Sequence, residues 1–230
     1  MDNKKKIIIF IGVIFFILII WYIFFYNSIK STLIIENPTY IHTKYVKEIS
    51  PLDLPESDEG HKFTYSFWLY LKNIPENGNW KSKFDNKYYL LYRFGSPNVL
   101  FFPKTNILRI EMTFKDSTSD VVKEYLEIDT LKAQQWQNIV IVLENKNLDV
   151  YLDGILENSL NLKNIPFIYK RPLLLGHKHA NFNGHIAKLE YYNMSLDHNQ
   201  IKEYYEDNKD YLPTDMLSYS EEYYINNSEL

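Results

Sequence analysis

One stretch constrains this chain before anything else. Ile7 to Tyr26 reads IIIFIGVIFFILIIWYIFFY, without a single charged residue. As a helix rising 1.5 Å per residue it would be about 30 Å long, the thickness of a bilayer's hydrocarbon core. Trp21, Tyr22 and Tyr26 fall near its far end, where amphipathic rings favour the headgroup level. Lys4, Lys5 and Lys6 would also suit the basic start of a cleaved signal peptide. However, the apolar run is longer than such peptides use, and Asn27-Ser28-Ile29-Lys30 offers no small-residue cleavage site. An uncleaved anchor over residues 7–26 is therefore expected. Three lysines precede it and only Lys30 follows closely, which predicts a cytoplasmic segment 1–6 and a single-pass type II topology. The remaining chain would then stand on the extracellular or lumenal side, or on a virion membrane.

Composition narrows what that remainder can be. The 230 residues are 46% hydrophobic and 17% aromatic, with no cysteine, so whole-chain disorder, a disulfide scaffold and a cysteine-ligated metal are excluded. A net charge of −4 gives no reason to expect nucleic acid. The charge is uneven: residues 206–230 carry seven acidic and one basic side chain, whereas 61–205 carry 18 basic and 15 acidic. Residues 27–60, with Pro38, Pro51 and Pro55, read as a stalk, although β-prone Thr39–Ile49 could instead add an edge strand.

From His61 to Tyr205 the pattern is all-β. Phe63, Tyr65, Phe67, Leu69 and Leu71 alternate onto one face. Further β-prone runs cover Tyr88–Phe94, Val99–Phe102, Ile107–Phe114, Val121–Ile128, Trp136–Leu143, Leu148–Leu152, Leu173–Leu175 and His185–Tyr192. Short strands at this spacing argue for a sandwich or jelly roll. Asp153-Gly154 is a two-residue hairpin turn signal, because both turn positions need positive φ. Asp197 with Gln200 makes a capping-box pattern, and Leu196 can staple onto Ile201, so a helix is predicted over His198–Asp207. Residues 206–230 are expected as an acidic, tyrosine-rich tail.

The order of these pieces resembles the laminin-G-like, concanavalin A-like lectin/glucanase jelly-roll family. The residues that carry the resemblance are the opening strand Phe63-Thr-Tyr-Ser-Phe-Trp68, the strand begun by Trp136, and the hairpin Asn147-Leu-Asp-Val-Tyr-Leu-Asp-Gly154. Leu173-Leu-Leu-Gly176, Phe182-Asn-Gly184-His-Ile and the closing Tyr191-Tyr192-Asn193 complete it over about residues 61–205. The resemblance implies an all-β jelly roll with one short C-terminal helix. It also implies that Trp68, Trp136, Tyr151, Asp153, Gly154, Gly176, Phe182 and Gly184 are structural. Trp136, Tyr151 and Phe182 are expected to fill the space between the sheets. Function is less determined, since the family includes lectins, adhesion modules, calcium binders and glycoside hydrolases.

Four constellations could carry chemistry. Glu127 and Asp129 would share a strand face, as paired glycosidase carboxylates about 5 Å apart must. The resembling hydrolases place a second Glu where this chain has Lys132, so the acid/base role is empty and a solvated strand face is the plainer reading. His177, His179 and His185 fall within nine residues and could converge on zinc, or simply be solvated. Calcium would have to be assembled from dispersed Asp85, Asp116, Asp120 and Asp153. Finally, Trp80, Asn86, Tyr88 and Tyr89 form an aromatic and polar segment suited to stacking and hydrogen-bonding a glycan, or to contacting a protein, unless it covers a sheet edge. Asn193 and Asn226 fit the N-glycosylation pattern.

The reading is a membrane-anchored, non-catalytic, lectin-like recognition or adhesion protein with no required cofactor. Its alternatives are a structural membrane protein of a virion or other assembly, and a glycoside hydrolase.

Overall fold

The structure is a computed structural model that describes residues 10, 12–20, 31–41, 47–54, 61–72, 88–93, 96–115, 118–168, 170–176 and 184–212. The chain divides into two compact units, Met1–Lys30 and Ser31–Leu230. In the first, residues 12–20 are helical and their apolar side chains are exposed, Phe15 by 65%. Among the described residues no helix is long and apolar enough to cross a membrane. Much of the run from Ile7 to Tyr26 lies outside the described residues.

The second unit is an antiparallel β-sandwich. One sheet has the strand order β1 (Ser31–Ile35), β13 (Gly184–Tyr192), β4 (Lys62–Leu71), β9 (Trp136–Glu144), β10 (Asn147–Leu152) and β11 (Ile155–Asn161), with β2 (Thr39–Ile41) also pairing β13. The other runs β3 (Lys47–Ile49), β12 (Leu173–Leu175), β5 (Tyr88–Tyr92), β6 (Asn98–Phe102), β7 (Ile107–Lys115) and β8 (Val121–Ile128). Residues 31–49, expected as stalk with the option of an edge strand, thus supply three short strands shared between both sheets. The β-prone bias of Thr39–Ile49 is satisfied by ladder hydrogen bonds to β13 and β12.

Alternation explains the core. Phe63, Tyr65, Phe67, Leu69 and Leu71 from β4 meet Ile139, Ile141 and Leu143 from β9 and Val99, Phe101, Leu108 and Ile110 from the second sheet, all in one buried cluster. Strand β4 is buried on its other face too, because helix α1 (His198–Asn208) lies over the first sheet's outer side. There Val140, Val142, Tyr151, Tyr192, Leu196 and Ile201 form a second cluster, and Trp68, Ala187 and Leu212 a third, with Trp136 and Tyr205 packed on it. Trp136 and Tyr151 therefore do not fill the space between the sheets, as expected from the sequence. They alternate outward from β9 and β10 and serve as the seat of the helix. Phe182 lies outside the described residues.

The local signals for turn and cap are met. Leu152 pairs Ile155 across a two-residue turn whose Asp153 and Gly154 have φ of 51° and 77°. The Asp197 carboxylate accepts from the backbone N–H of Asn199 and Gln200, while the Gln200 side chain accepts from the Asp197 N–H. Leu212, just past the helix, is buried on Trp68 and Ala187, so ordered packing extends beyond Tyr205 into the segment expected as tail. Residues 213–230 lie outside the described residues.

Candidate functional site

Two of the four constellations are rooted at one end of the sandwich. Residues 73–87 connect β4 of the first sheet to β5 of the second, and 177–183 return from β12 to β13. Their anchor points are neighbours: Leu71 pairs Gly184, and the Gly176 N–H donates to the Leu90 carbonyl at 3.0 Å. Trp80, Asn86, His177 and His179 themselves lie outside the described residues.

The described members of these sets behave differently from one another. Tyr88 is 1% exposed and packs in the inter-sheet core, where burial pushes its phenol up to about 12. This removes it from any recognition surface, because β5 alternation sends it inward. Tyr89, the next residue, faces the other way and meets Tyr92 edge-on at 5.3 Å. His185 is 2% exposed, with its ring 5.1 Å from Tyr40 and 6.2 Å from Tyr70. Tyr70 in turn meets Trp136 at 5.4 Å, so a row of four rings crosses β2, β13, β4 and β9 in cross-strand register. Burial, aided by Lys72, lowers the His185 imidazole to about 4, and its Nδ1 has no hydrogen-bond partner among the described residues.

Among the described residues no three His, Cys, Asp or Glu side chains gather as a metal site requires. Asp120 accepts from the Thr118 hydroxyl at 2.8 Å, and Asp153 accepts from the Asn138 N–H at 2.8 Å within its turn. Asp85 and Asp116 lie outside the described residues. Asn193 sits in the bend after β13, and Asn226 lies outside the described residues.

The carboxylate pair is not built as the sequence suggested. Strand β8 ends at Ile128, so Asp129 lies beyond it, exposed, and the alternation that would set it beside Glu127 stops short. Glu127 is engaged instead by Arg109, its cross-strand partner, whose Nε and Nη2 both donate to Oε1, at 2.7 and 2.6 Å. The Lys132 N–H donates to the Gln137 side chain at 2.6 Å, which ties this segment to β9.

Arg109 is the centre of a surface that the sequence alone did not reveal. Its guanidinium lies 4.6 Å from the ring centroid of Phe102 and 4.1 Å from that of Tyr125. Cross-strand register extends this outer face of the second sheet in two rows. One runs Tyr89, Leu100, Arg109, Glu127, and the next Tyr92, Asn98, Glu111, Tyr125. Lys123 pairs with Glu111 at 3.4 Å. Burial, with the Glu111 charge beside it, raises the Tyr89 phenol above its ordinary value. The signal was present as alternating residues in four separate β-prone runs, but only the register shows which of them adjoin.

Known proteins match this architecture more than this sequence. No curated protein sequence matches the chain. The binding domain of Paraclostridial mosquitocidal protein 1 superposes with a TM-score of 0.55 at 14% identity, covering 79% of this chain and 48% of that one. The binding domain of botulinum neurotoxin serotype G gives 0.55 at 12% identity, covering 80% and 48%. The receptor binding domain of the botulinum neurotoxin mosaic serotype C/D gives 0.54 at 14%, covering 78% and 46%. The chain spans about half the length of these structures, and at such identity the likeness is one of fold. The model of the concanavalin A-like lectin/glucanase superfamily, in its laminin G form, matches residues 47–202, about two thirds of the sequence. With its two antiparallel sheets and capping helix, the chain belongs to the concanavalin A-like lectin/glucanase superfamily.

Proposed function

We propose that the protein is a membrane-anchored, non-catalytic recognition or adhesion molecule, whose β-sandwich binds a glycan or protein ligand on the far side of the membrane from its N-terminus. The observation that carries the binding half is the Arg109–Glu127 pair. Glu127, a candidate glycosidase carboxylate by its sequence, is held by a guanidinium, Asp129 lies outside the strand, and Lys132 stands where the resembling hydrolases carry their second Glu. Glycoside cleavage also needs a second, acid/base carboxyl, and Lys132 cannot supply it. That solved structures of the same fold are binding domains supports the reading.

The membrane half rests on the sequence: an uncharged run from Ile7 to Tyr26 after three lysines. It assigns residues 1–6 to the cytoplasm, or to the interior of a virion, and the sandwich to the opposite side. No metal is required by this reading.

Two measurements test it. Protease added outside intact vesicles should digest the sandwich unit, and protection would reverse the orientation. A glycan array probed with the full-length chain in detergent should give saturable signals. Consistent silence, together with co-purifying neighbours, would favour a structural role in an assembly over recognition of sugars.

A further inference from the structure

The sandwich has two unlike ends. One is where Leu71 pairs Gly184. At the other, Lys62, Glu144 and Asn147 lie side by side across β4, β9 and β10, and the strap after β11 crosses from the first sheet to the second. The Leu162 N–H donates to the Lys146 carbonyl, the Asn164 side chain to the Lys115 carbonyl and the Phe167 N–H to the Thr113 carbonyl, each at 2.8 Å. Strand β1 begins at this same end, since Ser31 pairs Tyr192, the last residue of β13.

The groups gathered there are apolar and basic. Leu52 is 90% exposed at the tip of the turn Pro51–Asp53, which follows β3 where Ile49 pairs Leu173. Val121, opposite Lys115 at the start of β8, is 65% exposed, and Ile165 on the strap 40%. From Leu162 to Pro172 the sequence holds Lys163, Lys170 and Arg171 and no carboxylate. All three cations are exposed. Protruding apolar side chains among cations match the boundary of a bilayer, where the first leave water and the second meet lipid phosphates. Asp53, exposed beside Leu52, suits the choline of a zwitterionic headgroup.

Exposed apolar residues are ordinary when taken singly. The length of the tether joins these into one surface and decides what covers it. Only Asn27–Lys30 separate the uncharged run ending at Tyr26 from Ser31. Fully extended, the step from Tyr26 to Ser31 spans about 17 Å. The ten residues of β4 alone run about 30 Å. A chain that leaves a bilayer at Tyr26 therefore keeps the Ser31 end of the sandwich at the headgroups, whatever conformation the tether takes.

Resting on the membrane-anchor reading above, we infer that this end of the sandwich docks on a phospholipid surface. Leu52, Val121 and Ile165 enter the headgroup layer, and Lys163, Lys170 and Arg171 meet its phosphates. The end at which Leu71 pairs Gly184 then faces away from the bilayer.

The chain has no cysteine, so single cysteines can carry a fluorophore without background. Full-length Leu52→Cys, Ile165→Cys and, on the exposed turn between β6 and β7 at the far end, Lys104→Cys are labelled and reconstituted into phosphatidylcholine vesicles with and without a headgroup-nitroxide lipid. The labels of Leu52→Cys and Ile165→Cys should lose emission to the nitroxide, and that of Lys104→Cys should keep it. Adding Lys170→Gln and Arg171→Gln should lessen the loss at Leu52→Cys, and an undiminished loss would overturn the role given to the cations. Vesicle-bound protein whose Leu52→Cys and Ile165→Cys labels are quenched no more than that of Lys104→Cys would overturn this inference and leave the anchor standing. Failure of the full-length protein to float with the vesicles would overturn the anchor reading, and this inference with it.

Discussion

Arg109 delivers both Nε and Nη2 to one oxygen of Glu127 while its guanidinium is flanked by the rings of Phe102 and Tyr125. The pair is partly solvated, so its Coulombic contribution to stability is small, and the ring contacts matter at least as much. Arg109→Ala is expected to lower stability by about 1–2 kcal/mol in denaturant titration. Arg109→Lys should recover only part of this, since an ammonium lacks the planar surface that lies between the two rings. Full recovery by lysine would show that charge alone matters.

Gly154 occupies the second turn position with φ of 77°, and a Cβ added there would stand 3.1 Å from Cβ of Tyr205 on α1. Gly154→Ala therefore strains the backbone and presses on the helix at once. A loss of about 1–2 kcal/mol is expected, with weakened packing of Tyr205 on Trp68, which now stack at 5.7 Å. Tryptophan fluorescence during unfolding would report both.

The cap at Asp197 satisfies two backbone N–H groups of α1 and sits beside the Leu196–Ile201 contact. Asp197→Ala should cost about 1 kcal/mol, and Asp197→Asn clearly less. Equal losses for the two would mean that the charge, not the hydrogen-bond geometry, stabilises the helix start.

His185 gives the fold an acid-sensitive point. Its imidazole titrates at about 4 in the folded protein instead of the ordinary 6.5, because burial disfavours the cation and Lys72 repels it. The unfolded chain takes up this proton first. The stabilisation from keeping His185 neutral is thus complete above about pH 6.5, shrinks as pH falls toward 4, and is gone below it. The amount is about 3 kcal/mol. His185→Phe, uncharged and similar in shape, should flatten stability between these pH values. An unchanged slope would locate the acid sensitivity in other groups.

Much of the sandwich was legible because its signals are local. Alternation in Phe63–Leu71, the Asp153-Gly154 turn and the Asp197/Gln200 cap each depend on residues within one element, and the structure places each where the sequence does. Trp136 and Tyr151 lie on the outer side because a helix from the chain's far end covers them there, whereas a large aromatic side chain in sequence looks equally suited to the space between the sheets. Tyr88 is buried although a tyrosine beginning a strand looks alike in sequence whether it turns inward or outward. The Arg109 surface was illegible for a related reason: Phe102, Arg109, Tyr125 and Glu127 come from three strands, and only their register makes them neighbours.

Binding without cleavage is the function proposed for this chain. The most direct measurement adds the full-length protein to laminarin and to mixed-linkage β-glucan and follows binding and reducing-end release in the same samples. The account predicts retention on at least one polysaccharide with no reducing ends above the protein-free control, in the native chain and in Glu127→Gln alike. Release of reducing ends that vanishes in Glu127→Gln would contradict it.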